Sequence, residues 1–131
     1  MSGPEIECPP ELRVAAEAAV RALGITEDCH LAVELVDEQR IRELNRRFRG
    51  RDEPTDVLAF PVDESGPAAG PRELGDVVVC PARAEDVEEA VVHGILHLAG
   101  HDHEADRGEM LELQRTVMRD LGKSSRGKAR P

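Results

Sequence analysis

The chain has 131 residues, a formal net charge of −10 and 40% hydrophobic residues, with no Trp or Tyr and two Phe. This length suits one domain with an aliphatic core and is too short for two. No apolar stretch is long enough for a membrane span or a signal peptide, so we expect a cytoplasmic protein without a membrane partner. The three cysteines are odd in number and follow no spacing pattern, which predicts reduced thiols.

Hydrophobic periodicity predicts four helices and three strands in chain order. The first helix is stopped by Gly24, the second is capped by Asp37, and the valine run at 77–79 is typical of a central strand. The predicted helices are residues 11–23, 38–47, 82–99 and 104–121, and the predicted strands are residues 31–36, 57–60 and 77–79. This order predicts an α+β domain, a small mixed β-sheet with helices packed on it.

Two segments fall outside these elements. Residues 62–72 form a polar loop rich in Gly and Pro that we expect to be mobile. Residues 123–131 carry four basic residues and no acid, and we interpret them as a basic, disordered tail. Residues 1–122 are then the single folded domain.

The stretch HGILHLAGHDH, residues 93–103, carries the strongest chemical signal. His93 and His97 are four apart, so on a helix they lie on one face. Gly100 can end that helix in a left-handed turn that brings His103 back toward the pair. Three imidazoles with one coordination position left open are typical of catalytic zinc, and nickel would suit the same ligands. We therefore predict a zinc site on this buried helix and the following turn.

The same spacing, including the glycine, occurs in the extended zinc-protease motif H-E-x-x-H-x-x-G-x-x-H. Gly94 stands where the proteases carry the general-base glutamate, so a zinc peptidase is the weaker alternative. Asp102 and Glu104 flank His103 and are the nearest carboxylates in sequence. Both are candidates for holding a ligand histidine in orientation, with Asp102 favoured, and the identity of the general base stays open.

Positive charge is concentrated in one segment. Residues 40–51 hold six arginines and a single acid, whereas the rest of the chain is strongly acidic. This distribution favours a directed anion-binding face, and a solvated helix face is the alternative for any individual arginine.

Three motifs in order resemble the YbeY family of bacterial metal-dependent endoribonucleases. The first is LNRRFRGRDEPTDVLAFP at residues 44–61, the second is Leu74-Gly75-Asp76 before the valine strand, and the third is the histidine motif. The resemblance implies that the three histidines are zinc ligands and that Arg49 is the functionally important arginine near the cleft. Ala59 departs from the family pattern, which often has Ser at this position.

The resemblance implies a zinc-dependent, single-strand-specific endoribonuclease that acts in 3′-end maturation of small-subunit ribosomal RNA and in ribosome quality control. Its partners would be single-stranded or ribosomal RNA, the ribosome and ribosome-associated proteins. Arg49 would bind phosphate oxygens through its planar guanidinium, and Arg46, Arg47 and Arg51 are candidates for further RNA contacts. With so few aromatic residues for stacking, RNA binding should depend on salt. The alternative is a non-catalytic ribosome-biogenesis factor that zinc stabilises.

Overall fold

A computed structural model describes residues 3–62 and 72–122 of the chain. One four-stranded sheet has the strand order β1-β2-β4-β3. β2 pairs in parallel with β1 and β4, and β3 pairs antiparallel with β4, so the sheet is mixed and the α+β prediction is confirmed. The strands are β1 at Pro4–Glu7, β2 at Cys29–Leu35, β3 at Val57–Pro61 and β4 at Arg72–Val79.

The described residues also form four α-helices. They are α1 at Arg13–Ala22, α2 at Glu38–Arg49, α3 at Val87–Leu98 and α4 at Glu109–Asp120. α2 begins where the Asp37 carboxylate accepts a hydrogen bond of 2.8 Å from the Arg40 N–H, and it ends at Gly50, which has the left-handed φ of 72°. The valine run at 77–79 lies in β4, a central strand as predicted.

The structure differs from the predicted elements in three places. β1 was not predicted, because only Ile6 of its four residues is buried and no periodic pattern can form over so short a stretch. The helix predicted at 82–99 begins at Val87, since a 3-10 turn at Pro81–Arg83 ends in the extended Ala84.

The helix predicted at 104–121 begins at Glu109 instead of residue 104. The Asp106 carboxylate accepts hydrogen bonds from the Gly108 and Met110 N–H groups, at 2.8 and 2.9 Å, and thereby fixes a turn ahead of the helix. These two bonds hold the pKa of Asp106 below its usual range. Residues 102–108 therefore form a turn that carries His103 and are not part of the helix.

The two faces of the sheet are covered by different helices. Alternate residues of β4 point to opposite faces, with Val77 and Val79 in the larger core and Val78 in a smaller one. The larger core includes buried residues of α1, α3 and α4, and the smaller one contains Ile41 of α2. α3 is buried along eight of its twelve residues and contacts α1, α4, β3 and β4. Each fully buried Val, Leu or Ile stabilises the fold by about 1.5–3 kcal/mol.

Residues 63–71 of the expected mobile loop and the tail at 123–131 lie outside the described residues. In the two ranges that the structure describes, no helix combines the length and apolar character needed to cross a bilayer.

Candidate metal centre

Local sequence explains why α3 presents two histidines at its C-terminal end. The helix begins where the Asp86 carboxylate accepts from the Glu89 N–H at 3.2 Å. It ends in a Schellman motif around Gly100, whose φ is 99°: the His101 N–H donates to the Leu96 carbonyl at 3.1 Å, and the Gly100 N–H donates to the His97 carbonyl at 2.9 Å. The turn after this motif returns the chain toward the helix.

His93, His97 and His103 converge as the spacing predicts. Their ring centroids lie 4.7 to 5.5 Å apart, and one nitrogen from each ring falls within 4.8 Å of the other two. The Nε2 atoms of His93 and His97 are 3.2 Å apart. Zinc–nitrogen bonds of about 2.0–2.1 Å in a tetrahedral site place two nitrogens about 3.3 Å apart, so this pair has the spacing that zinc requires. The three residues can hold a metal ion.

Hydrogen bonds on the far side of two rings direct their lone pairs inward. The His97 Nδ1 lies 2.9 Å from the main-chain carbonyl of His101, and the His93 Nδ1 lies 2.8 Å from the Gln114 Oε1. Both oxygens can only accept, so each Nδ1 donates and each Nε2 keeps its lone pair. Two facing lone pairs with no donor between them are the arrangement that a cation satisfies.

The pKa of His97 favours the ligand form of the side chain. Burial of the ring is the main cause that lowers this pKa from its ordinary value, and the neighbouring His93 lowers it further. At neutral pH the imidazole is therefore neutral, which is the form that binds a metal.

The histidines line a cleft of about 650 Å³ that contains both arginine and carboxylate side chains. Its lining includes Arg49, Arg51 and Glu104, together with β3 residues from Val57 to Ala59. A larger surface depression, of about 900 Å³, follows β1 at the opposite edge of the sheet and includes none of the three histidines. The three histidines and Arg49, which were predicted from the sequence to form the site, thus line the smaller of these two cavities.

Of the four arginines predicted to act at the site, two line the cleft and two do not. The Arg49 Nη2 donates to the Ala59 carbonyl at 3.0 Å, which holds the guanidinium at the cleft. Arg51 also lines the cleft, and its guanidinium is 3.8 Å from the Glu53 carboxylate. Arg46 and Arg47 lie outside the cleft lining, and neither forms an ion pair among the described residues.

Both phenylalanines of the chain lie where α2 meets β3. Phe48 is 57% exposed and meets Phe60 edge to face, with ring centroids 5.3 Å apart. The Arg47 guanidinium lies 5.5 Å from the centre of the Phe48 ring, a cation–π arrangement. Composition alone cannot reveal this, since the two rings come from α2 and β3 and meet only in the fold.

The carboxylates that flank His103 differ in their surroundings. The Asp102 Oδ1 accepts from the Glu104 N–H at 3.0 Å, so this carboxylate stabilises the turn and makes none of the observed bonds to a histidine ring. The side chain of Glu104 is exposed and lines the cleft. The partners found at the histidine rings are instead the His101 carbonyl and Gln114.

Gln114 and Glu89 lie next to His93 in the structure but were not among the site residues predicted from the sequence. Gln114 is buried on α4 among the apolar positions Met110, Val117 and Met118, and its Nε2 donates to the buried Glu89 Oε2 at 2.9 Å. The sequence does contain a signal for Gln114, because this polar residue falls at a position where helical periodicity requires an apolar one.

Gly94 lines the cleft, but the direction in which its side chain would point is toward the sheet. A Cβ at this position would lie 2.5 Å from the Val77 Cγ1 and 3.1 Å from the Val57 Cγ2. A glutamate here would collide with β4, which is the physical reason that the protease arrangement does not fit this helix.

Comparisons with known proteins agree with the resemblance seen in the sequence. The family described as "Endoribonuclease YbeY" matches residues 6–122. A protein of that name from Aquifex aeolicus is 40% identical over 124 residues, covering 83% of this chain and 81% of the relative. A second, from Azorhizobium caulinodans, is 42% identical over 124 residues, covering 82% and 78%.

A solved structure agrees as well. The solution structure of TM1509 from Thermotoga maritima has 32% sequence identity and a TM-score of 0.53, and the match covers 95% of this chain and 99% of that one. The chain belongs to the YbeY family of endoribonucleases.

Proposed function

We propose that this chain is a zinc-dependent endoribonuclease that cleaves single-stranded RNA, with residues 1–122 as the catalytic domain. The observation that carries the proposal is the convergence of three imidazoles in a cleft that also contains Arg49. Membership of a family whose members are named endoribonucleases supports the same reaction.

The metal would be held by His93, His97 and His103, with nickel as an alternative ion for the same ligands. When bound, zinc supplies a Lewis acid for the phosphoryl group and lowers the pKa of a coordinated water. The Nδ1 atoms of two of these ligands, His93 and His97, are already hydrogen-bonded, so their Nε2 lone pairs would face the metal without a change of tautomer.

Arg49 is assigned to the phosphate. One of its five N–H groups is used by the Ala59 carbonyl, and the remaining donors can bind non-bridging oxygens in the planar geometry of a guanidinium. Because this group stays charged, it can stabilise negative charge that develops at the phosphorus.

Glu104 is assigned to accept the proton of the attacking water. It lines the cleft, whereas the Asp102 carboxylate is occupied by a main-chain N–H. A carboxylate within reach of the reacting water serves as a general base.

RNA would follow the basic side of α2. Arg51 contacts the strand inside the cleft, and Arg46 and Arg47 bind phosphates on the surface beyond it. In the cell, by resemblance to the family, we propose a cytoplasmic enzyme that acts in 3′-end maturation of small-subunit ribosomal RNA and in ribosome quality control. The ribosome and its associated proteins are the partners in this proposal.

The experiment that tests the function combines metal analysis of the purified chain with cleavage of single-stranded RNA before and after chelation. We expect one zinc per chain and cleavage that stops when the metal is removed. His97→Ala should lose both, while His101→Ala, a substitution of the same residue type outside the ligand cluster, should keep both. Retention of chelator-sensitive cleavage by His97→Ala would contradict the proposal.

One observation favours a second candidate, the non-catalytic ribosome-biogenesis factor. α3 carries two of the ligands and is also the helix at the centre of the larger core, so the metal would stabilise the fold by binding the native state alone. Circular dichroism of His97→Ala separates the two functions. An unfolded variant favours the structural role, and a folded, inactive variant favours catalysis.

A further inference from the structure

We propose that Glu89 and Gln114 are positioning residues that fix the tautomer of His93 and so direct its Nε2 lone pair to the metal. The inference rests on the metal site of the proposed function and does not depend on which substrate is cleaved. No motif of the sequence includes either residue.

The pair forms a chain of hydrogen bonds that ends on the ring. Glu89 lies one helical turn before His93 on α3, and Gln114 reaches both residues from α4. The Gln114 Nε2 donates to the Glu89 Oε2 at 2.9 Å, and the Gln114 Oε1 lies 2.8 Å from the His93 Nδ1. The exposed fractions of Gln114 and Glu89 are 7% and 9%, so solvent has little access to these bonds.

The direction of every bond in this chain follows from the carboxylate at its end. A carboxylate only accepts, so the amide must turn its NH₂ group toward Glu89. The amide oxygen then faces His93, and because that oxygen also only accepts, the proton must sit on Nδ1. The opposite orientation would bring two acceptor oxygens within 2.9 Å of each other in a buried site.

His97 reaches the same tautomer by a different route. Its Nδ1 faces the His101 main-chain carbonyl, which is an acceptor in every variant of the protein. The partner of His93 is a side-chain amide, which has a donor end and an acceptor end and needs a second residue to orient it. Of these two histidines, only His93 therefore has a tautomer that a side-chain substitution at a distance can change.

The pair is also separate from the RNA cleft. Glu89 and Gln114 line a second cavity, of about 340 Å³, that includes His93 but neither Arg49 nor His97. Neither residue lines the larger cleft. Substituting them should therefore alter the ligand and leave the groups that face RNA in place.

The test uses Glu89→Gln, which keeps the shape of the side chain and removes the feature that orients the amide. We expect the zinc affinity of the full-length chain, measured by competition with a chelator, to fall about 10- to 100-fold, the range typical for loss of a partner of a ligand histidine. In the zinc-loaded protein, the His93 Hδ1 resonance should exchange faster with solvent. Glu85→Gln removes the same charge from the wall of the same cavity, at an exposed position, and should change neither readout.

A double variant supplies the rescue. Combining Glu89→Gln with Gln114→Glu places the carboxylate beside His93 and the amide one turn away, so that an acceptor again faces Nδ1. Zinc affinity and the protected Hδ1 resonance should both return.

Wild-type zinc affinity in Glu89→Gln would overturn the positioning role, and so would a double variant that binds zinc no more tightly than the single one. Neither result would contradict the proposed ribonuclease function. Absence of zinc binding by the wild-type chain would overturn the inference and the proposed function together.

Discussion

At the scale of single residues, the Arg49 guanidinium is held in place by one hydrogen bond that uses only one of its five N–H groups. One hydrogen bond to the Ala59 carbonyl fixes the guanidinium beside the cleft, and in the proposed function its other N–H groups bind phosphate. A lysine at this position would have a single ammonium and could not reproduce the planar pair of donors.

Arg49→Ala should reduce the rate of RNA cleavage by about 10²–10³-fold, the usual cost of removing a donor that stabilises transition-state charge. Arg49→Lys should recover only part of the rate. Zinc content should be unchanged in both, since Arg49 is not among the three residues that can hold the metal. Measured cleavage rates and metal content check this, and a fully active alanine variant would rule out the assigned role.

Glu104→Gln should lower kcat by about 10²–10⁴-fold, the contribution typical of a general base, with a smaller effect on KM. Asp102→Asn is the matched control, since it keeps the oxygen that accepts from the main chain. Equal rates for Glu104→Gln and the wild type would assign the base elsewhere.

Gly94→Ala should destabilise the fold. The added methyl group would lie 2.5 Å from the Val77 Cγ1, and overpacking of this kind costs about 1–3 kcal/mol, offset by about 1 kcal/mol of helix propensity. Urea unfolding measures the difference. Val77→Ala removes the clashing atom, so the double variant should be more stable than the two single changes predict by addition. Simple additivity would show that the contact is not the cause.

At the scale of elements, one side chain links three strands of the sheet. His30 of β2 lies 2.9 Å from the Glu73 carboxylate of β4 and 3.1 Å from the Glu7 carboxylate of β1. A neutral imidazole can donate to only one of them, whereas the protonated ring donates to both. The hydrogen bond with Glu73 is the main cause that raises the pKa of His30 from its ordinary value, with Glu7 adding to it and burial opposing it.

The raised pKa of His30 makes the folded protein less stable as pH rises. A raised folded-state pKa means that the stabilisation is complete below the unfolded value of about 6.5 and is lost as pH rises through the folded value. We therefore expect the Tm to fall as pH increases through this window, and His30→Gln to lack this component of the fall. Thermal melts at fixed ionic strength provide the measurement, and parallel curves for the two proteins would exclude the mechanism.

The elements also show which parts of the molecule a sequence can predict. The convergence of His93, His97 and His103 was predictable because the three residues span only eleven positions, and their geometry follows from helical spacing and one glycine. Gln114 was not, because its role depends on how α4 packs against α3. β1 was missed because pairing with β2, and not its own pattern, makes it a strand.

At the scale of the whole molecule, charge is distributed unevenly. The chain has a net charge of −10, yet the segment at 40–51 holds six arginines and one acid. Ion pairs divide this set, because Arg42 is 2.8 Å from the Asp52 carboxylate and Arg40 is 3.2 Å from Glu43. Among the described residues Arg46, Arg47 and Arg49 form no ion pair, so we expect RNA to bind this otherwise acidic chain most readily at these arginines.

The double variant Arg46→Ala with Arg47→Ala should weaken RNA binding and flatten its dependence on salt. Each phosphate contact with a single strand contributes about 0.7 to the slope of log affinity against log salt, so two lost contacts should reduce it by about 1.4. Arg40→Ala with Arg42→Ala, which removes equal charge from ion-paired positions, should change the slope less. Titrations over a range of salt concentrations test this, and equal slopes in the two double variants would contradict it.

Because Gly94 has no side chain, the main chain of α3 lies directly against the valines of β3 and β4. α3 and β3 also line the cleft: α3 carries His93, and β3 carries the Ala59 carbonyl that holds Arg49. The close packing of α3 on these strands, which a glycine permits, therefore helps to set the distance between His93 and Arg49. We expect substitutions at this contact to alter the spacing between His93 and Arg49 and so to lower the rate of the proposed RNA cleavage.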